Sequence, residues 1–432
     1  MKGSRMTRRD LMKGAAGMAG LSLARSSGPT LGAQGASEKV VMGIIGTGGQ
    51  GMAHIKELAK MEDVAIAAVC DVDQARREKA AKQAGSSPKQ IKDFRELLAM
   101  KDIDAVFITT PDHWHGIVAI EACKAGKDIY CEKPMTHNIR EGRLLLDAVK
   151  KHKPIVQVGT QQRSTQHWIN AVDRIKAGEI GKVHMVHVWN AWGSKQMRGN
   201  LGNPPDEPAP PKGVDYDMWL GPAPKRPFNK LHFHFLFYFF WNYAGGMVAD
   251  WAVHLFDVVC WAMGPGIQSA SMVGGKYAFN DGRDTPDTAA AVFECPGYTM
   301  NYTIRHDNGW RPHGSTGHGI EFFGQDRTLQ INRKGFEMYD EESLGTRKPC
   351  YQEKGKTILR EHERNFIECV RSRKRTNADA QVGYDQQIAC HLANISYRVG
   401  RRVDWDEKNE TIPNDPEACK LLTRTYREPW VL

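Results

Sequence analysis

Val40-Val41-Met42-Gly43-Ile44-Ile45-Gly46-Thr47-Gly48-Gly49-Gln50-Gly51 decides the fold. An apolar run of strand length ends in a Gly-x-Gly-x-x-Gly cluster, and a helical pattern follows over Met52–Met61. A second apolar run, Val64–Val69, terminates at Cys70-Asp71, which sets Asp71 20 residues beyond Gly51. Glycine clusters alone also mark ordinary turns; this one lies between a strand and a helix, with an acidic residue closing the next strand. The glycines of the loop Gly46, Thr47, Gly48, Gly49, Gln50 and Gly51 let the backbone approach a pyrophosphate at a helix N-terminus, and Asp71 is placed for ribose hydroxyls. A carboxylate there repels a 2′-phosphate, so NAD is expected over NADP; Arg76 and Arg77 keep NADP open.

Outward from this unit the alternation continues. Helical Gln74–Ala84 and Asp93–Met100, strand Ala105–Thr109, helix Gly116–Ala125 and strands Asp128–Cys131 and Ile155–Val158 predict a doubly wound parallel sheet over residues 38–160. Residues 161–432 read as a second, α+β domain for substrate binding and oligomerisation. Alternating runs at Val183–Trp192, Thr288–Phe293, Tyr298–Arg305, Gly319–Phe323 and Thr328–Ile331 predict an open-faced, largely antiparallel sheet with helices on one side. Helical patterns at Thr357–Ser372 and Tyr384–Gly400 follow. Between them, Gly199–Pro227 is dense in Pro and Gly, an irregular excursion over the active-site mouth or around a neighbouring subunit.

The first 36 residues read as a targeting segment and linker. Arg8-Arg9-Asp10-Leu11 precedes an apolar, Gly/Ala-rich run over residues 14–24, too short for a stable membrane span, and small residues follow at Ala33, Gly35 and Ala36. That order predicts twin-arginine export of a folded protein to the periplasm. Six basic residues (Lys2, Arg5, Arg8, Arg9, Lys13, Arg25) against Asp10 fall in residues 1–33, so about +4 of the +9 net charge remains beyond them. Such balance calls for neither nucleic acid nor an anionic membrane. Nine scattered cysteines lack metal-finger spacing and are expected as mostly free, buried thiols.

Thr109-Thr110-Pro111-Asp112-His113-Trp114-His115, Cys131-Glu132-Lys133-Pro134 and Gly245-Gly246-Met247-Val248-Ala249-Asp250-Trp251-Ala252-Val253-His254 together resemble the glucose–fructose oxidoreductase/inositol dehydrogenase (Gfo/Idh/MocA) family, from about residue 39 to Trp405. The resemblance implies hydride transfer between a nicotinamide cofactor and a sugar, glycoside or cyclitol. It also implies cofactor contacts at Thr109, Pro111, His115 and Glu132. The residues support a catalytic set on chemical grounds. Asp250 and His254 are at i and i+4, on one helix face, where His254 takes a hydroxyl proton and Asp250 orients it. Lys133, just past a strand end, fixes the substrate oxygen and also borders the cofactor.

Gln161 is expected beside the cofactor where the domains meet. Arg163 reads equally as a ligand contact or a domain bridge. Asn190 and Trp192 are expected toward substrate. The aromatic run Leu231–Trp241 is a buried segment or subunit contact, or else a sugar-stacking wall ending in Trp241. No metal is expected. Export away from a nicotinamide pool implies a tightly bound cofactor regenerated on the enzyme. The remaining expectations are a homodimer or homotetramer and two alternatives to simple oxidation: glycoside cleavage by oxidation, elimination and reduction, and a non-enzymatic ligand sensor.

Overall fold

A computed structural model describes residues 39–193, 199–310, 316–343 and 348–432, and residues 39–432 cluster as one compact unit. The export reading of residues 1–36 lies outside the described residues. Among the described residues no helix is long and apolar enough to cross a membrane.

Six parallel strands, β1 (Val40–Ile45), β2 (Val64–Cys70), β3 (Lys89–Ile91), β4 (Ala105–Ile108), β5 (Asp128–Cys131) and β6 (Val156–Val158), form the first sheet in the order β3-β2-β1-β4-β5-β6. Central strands β1 and β4 are buried on both faces, hence their near-continuous apolar sequence. The crossovers carry helices α1 (Gly49–Leu58), α2 (Gln74–Ala84), α3 (Phe94–Leu98), α4 (Asp112–Lys124) and α5 (Ile139–His152). Asp73 caps α2 by accepting from the amides of Ala75 and Arg76, and Gly85 closes it at φ 71°. Strand order reverses between β1 and β4, which opens the crevice where such sheets bind ligands.

The second sheet has nine strands: β7 (Met185–Ala191), β8 (Ser269–Gly275), β9 (Thr288–Cys295), β10 (Tyr298–Arg305), β11 (His318–Phe323), β12 (Arg327–Asn332), β13 (Gly335–Asp340), β14 (Tyr351–Lys354) and β15 (Val403–Asp404). Their order is β14-β13-β12-β11-β7-β10-β9-β8-β15, and only β7 and β10 pair in parallel. Helices α6 (Gln166–Lys176), α8 (Val253–Met263) and α10 (Ala380–Val399) pack on this sheet, among other elements, whereas Val273 and Val292 on two of its strands are exposed. Alternation is cleanest in β9 and β10, as a half-covered antiparallel sheet requires. The fold is as expected: a Rossmann parallel sheet followed by a mixed, mostly antiparallel one. Strands β3, β8, β13, β14 and β15 lacked a sequence signal.

Two late helices return to the first sheet. Helix α9 (Leu359–Ser372) inserts Phe366, Ile367 and Val370 into a core with Ile44, Ile55, Phe107 and Tyr130. Helix α10 crosses β6 at Gly383, where a Cβ would stand 2.5 Å from Val158 Cγ2. Between β7 and α8, a third core holds Leu231, Phe233, Tyr238, Phe239 and Phe240 of the aromatic run with Trp219 of α7 (Tyr216–Leu220). All nine cysteines are free; six are buried and Cys350 is exposed.

Candidate active site

A cleft of about 680 Å³ runs from the β1–α1 turn to the start of α8. At its first end the glycines meet steric demands. Gly46 sits at φ 88°, and a Cβ on Gly51 would stand 2.2 Å from the Gly46 carbonyl oxygen. Nothing lies within 4 Å of a Cβ on Gly49. Asp71 is fastened by three donors: the Thr47 amide (2.8 Å), the Thr47 hydroxyl (3.1 Å) and the Asp73 amide (3.0 Å). Thr109 donates its hydroxyl to the carbonyls of Ile45 and Gly46, which joins β4 to the loop. Arg77 is spent on the Asp71 carbonyl, while Arg76 lies over the loop, its Nη1 2.8 Å from where a Gly48 Cβ would be. The bare loop, the α1 N-terminus and the Asp71 carboxylate fit the pyrophosphate and ribose of NAD.

The irregular excursion closes over this end. Backbone bonds join Gln74 to Gly213 and Asp215 to Val72, and His234 meets Asp73 at 3.0 Å. Lys92 pairs with Asp215 at 3.0 Å, and the Trp114 indole donates to the Trp219 carbonyl at 3.1 Å. Of the aromatic run, His234, Phe235, Phe237 and Tyr238 line the cleft; the rest is mainly core.

Midway, Glu132 is held by His54, whose Nε2 is 3.0 Å from Glu132 and Nδ1 2.6 Å from Glu363 on α9. Burial alone would lower the His54 pKa, but hydrogen bonds to Glu132 and Glu363 raise it to about 9, so the imidazolium persists at neutral pH. Gln50 reaches Glu132 at 3.4 Å, and Gln161 also lines the cleft. Pro111 precedes α4, which begins at Asp112 rather than at the expected Gly116 because proline's fixed φ suits a helix start. His115 therefore lies in the first turn, its ring nitrogens 2.7 Å from the Pro134 carbonyl and 2.9 Å from that of Thr110. It braces the Glu-Lys-Pro loop at the cleft wall.

At the far end Lys133 Nζ donates to Asp250 Oδ1 (2.6 Å) and to the Asp250 carbonyl (2.8 Å). Asp250 is thus the counter-ion of Lys133, and the expected Asp250–His254 bond is absent among the described contacts. The reason is local: Asp250 lies in a π-helical turn, Val248–Ala252, ahead of α8, which widens the helix and aims the carboxylate at the lysine. Burial lowers the Lys133 pKa, but Asp250, Glu132 and Asp112 outweigh it and keep the ammonium. Burial, then Arg333 and Lys133, hold His254 well below its usual pKa, so it is a neutral imidazole; its Nδ1 has no partner among the described residues. Burial and then the neighbouring Asp250 push the Asp112 carboxyl well above the usual carboxylate range. Trp192 joins this end, packed at 4.9 Å against Trp251. Among the described residues no group of three or more His, Cys, Asp or Glu could hold a metal.

Three expected substrate contacts point elsewhere. Arg163 pairs with buried Asp257 at 2.7 Å and stacks on Trp261, bridging to α8. Asn190 is buried and accepts from the Tyr302 hydroxyl at 2.7 Å, because β7 is central in its sheet and Asn190 faces the core. Trp241 lies under Arg398, outside the cleft, since the chain turns after Phe240. Sequence reasoning missed Asp112, Trp251, His318 and Arg333 as lining residues; Asp112 and Trp251 stood within quoted motifs, whereas Arg333 carried no signal.

Residues 40–160 match the model of an oxidoreductase family with an NAD-binding Rossmann fold, and 184–274 with 355–432 match that family's C-terminal α/β domain. The chain is 35% identical over 145 residues to an uncharacterized oxidoreductase, YrbE, of Bacillus subtilis, covering 34% of this chain and 42% of that protein. It is 29% identical over 229 residues to the scyllo-inositol 2-dehydrogenase (NAD(+)) of the same organism, covering 53% and 55%. The chain thus spans about half the length, or less, of these curated relatives. A myo-inositol 2-dehydrogenase structure from Lactobacillus plantarum superposes with a TM-score of 0.62 at 18% identity, covering 85% of this chain and 99% of that one. The two family models, matched in order over residues 40–160 and over 184–274 with 355–432, show that the chain belongs to the Gfo/Idh/MocA oxidoreductase family.

Proposed function

We propose that this protein is an exported oxidoreductase that moves hydride between a carbon of a sugar, glycoside or cyclitol and a tightly held NAD. The observation that carries this reading is the Lys133–Asp250 pair beside His254, at the opposite end of one cleft from Asp71 and the glycine loop. Inositol dehydrogenases among the relatives support the substrate class. NAD bound along Gly46–Gly51, Asp71, Thr109, Glu132 and Gln161 supplies the hydride acceptor.

The rest is done by the chain. His254, neutral, accepts the hydroxyl proton. Lys133 donates a hydrogen bond to the substrate oxygen as it becomes a carbonyl, and Asp250 keeps that ammonium charged. The excursion that seals the adenosine end supports retention of the cofactor and hence its regeneration on the enzyme by a second substrate. The Arg8-Arg9 segment supports periplasmic export by the twin-arginine machinery, and the exposed Val273 and Val292 support a homodimer or homotetramer.

The test is anaerobic incubation of the purified protein with a panel of sugars, cyclitols and glycosides. One equivalent of reduced, bound nicotinamide with an oxidised sugar is expected. Sustained release of free sugar without an acceptor would instead favour the oxidation–elimination–reduction route, and no reduction with any of them would refute the reading. Separately, replacing Arg8 and Arg9 together by lysine should retain the precursor in the cytoplasm.

A further inference from the structure

Arg333 and Lys334 form the two-residue tip between β12 and β13, where Asn332 pairs with Gly335. Lys334 is exposed, as hairpin tips are, but Arg333 runs inward and lines the cleft. Its guanidinium lies 4.4 Å from the Trp251 ring centre, and its Nε is enclosed with no hydrogen-bond partner among the described residues. Because only Nε is enclosed, the Nη end opens into the cleft. Arg333 forms no ion pair with a described residue, whereas the other charges at this end are matched: Lys133 by Asp250 and Glu132 by His54. An unmatched guanidinium withdrawn from water is costly unless a ligand completes it.

Resting on the sugar-oxidising reading above, we propose that Arg333 binds a carboxylate carried by the substrate, which makes this enzyme selective for uronic acids or their glycosides. One planar guanidinium matches one carboxylate in a two-pronged pair. A phosphate dianion on the same guanidinium would leave one negative charge unmatched, since Asp250 already balances Lys133.

The burial cost shows on the arginine itself, whose pKa is pulled down to about 10, with only Glu132 opposing. His254 feels the same charge. After burial, Arg333 is the foremost of the groups that depress its pKa, ahead of Lys133, His318 and His362. A carboxylate on Arg333 neutralises that influence and makes His254 a better proton acceptor. Recognition therefore raises kcat as well as lowering KM.

The test uses the NAD-loaded protein and matched methyl glycosides of glucose, glucuronic acid, galactose and galacturonic acid, with glucose 6-phosphate as the dianion arm. Reduction of bound nicotinamide gives kcat/KM, and protection against thermal unfolding gives binding without turnover. The wild type should favour uronides about 10- to 100-fold, and Arg333→Gln and Arg333→Met should bring that ratio near one with NAD content unchanged. A wild-type preference for the neutral glycosides or the phosphate, or a uronide preference that survives both substitutions, overturns the proposal. Uronide protection lost in both variants without any reduction upholds carboxylate binding while refuting the oxidoreductase reading. Protection by no uronide refutes the carboxylate site.

Discussion

At the dinucleotide end of the cleft, the loop Gly46–Gly51 and Asp71 come from one β–α–β unit, residues 40–71, and what matters is mostly backbone. At the substrate end, Lys133, Trp192, the Asp250–His254 helix and Arg333 arrive from four separate places, and what matters is how their charges meet. A backbone cradle depends on steric rules that act over a few residues. A charge cluster depends on which distant segments the fold brings together, so a single changed partner alters every pKa in it. The first end tolerates little change in shape; the second tolerates little change in charge.

The largest expected effect tests the charge cluster. Lys133→Ala and His254→Ala should each keep bound NAD and lose turnover by ~10²–10⁴-fold; near-wild-type rates in both would dissolve the distinction between the two ends. Asp250→Asn sharpens it. Asp250 helps hold the Lys133 pKa up, so its loss should lower that pKa and move the alkaline limb of the pH–rate profile to lower pH. An unmoved limb would mean that Asp250 is not the counter-ion.

Between the ends, His54 joins Glu132 to Glu363, and its charge is structural. Because its folded pKa, about 9, lies above the unfolded value, its stabilisation is present in full below about pH 6.5 and is lost as pH rises through 9. Replacing it with leucine leaves two buried carboxylates facing each other and should cost about 3–5 kcal/mol. Thermal melts of the two proteins between pH 6 and 10 are expected to converge on the alkaline side.

The remaining tests bear on the backbone cradle, where one substitution is severe and its neighbour mild, and on the residues that left the site. Gly51→Ala must displace the Gly46 carbonyl and should abolish NAD retention, whereas Gly49→Ala, which meets nothing, should leave the fold unaltered. Arg163→Met should lower the melting temperature by stranding Asp257, with KM changed by less than about twofold; Trp241→Ala should leave KM equally unmoved. A large KM change in either would return these residues to the substrate.

The legibility of the chain follows the same division. Glycine spacing, strand runs and Asp71 were readable because hydrophobic periodicity and steric demands at glycine are local. The boundary of α4 was displaced because Pro111 starts a helix that apolar spacing alone placed at Gly116. Strands β3, β8, β13, β14 and β15 carry no signal of their own because register with their neighbours, not their own composition, makes them strands. Arg163 was read as an even choice between ligand and bridge, which only the buried Asp257 opposite it resolves. The i,i+4 spacing pairs Asp250 with His254, but a π-helical turn at Val248–Ala252 reassigns Asp250 to Lys133.

By itself, then, the sequence determined the two-sheet architecture and the dinucleotide cradle, since each is written in neighbours a few positions apart, and a family resemblance singled out Lys133, Asp250 and His254 as candidates. Only the tertiary structure decided which of them pair, that His54 and Glu363 anchor Glu132, and that a hairpin arginine near the end of the second sheet faces the cleft. Those outcomes turn on desolvation and Coulomb energy between segments up to hundreds of residues apart, and such energies exist only once the chain has closed around them.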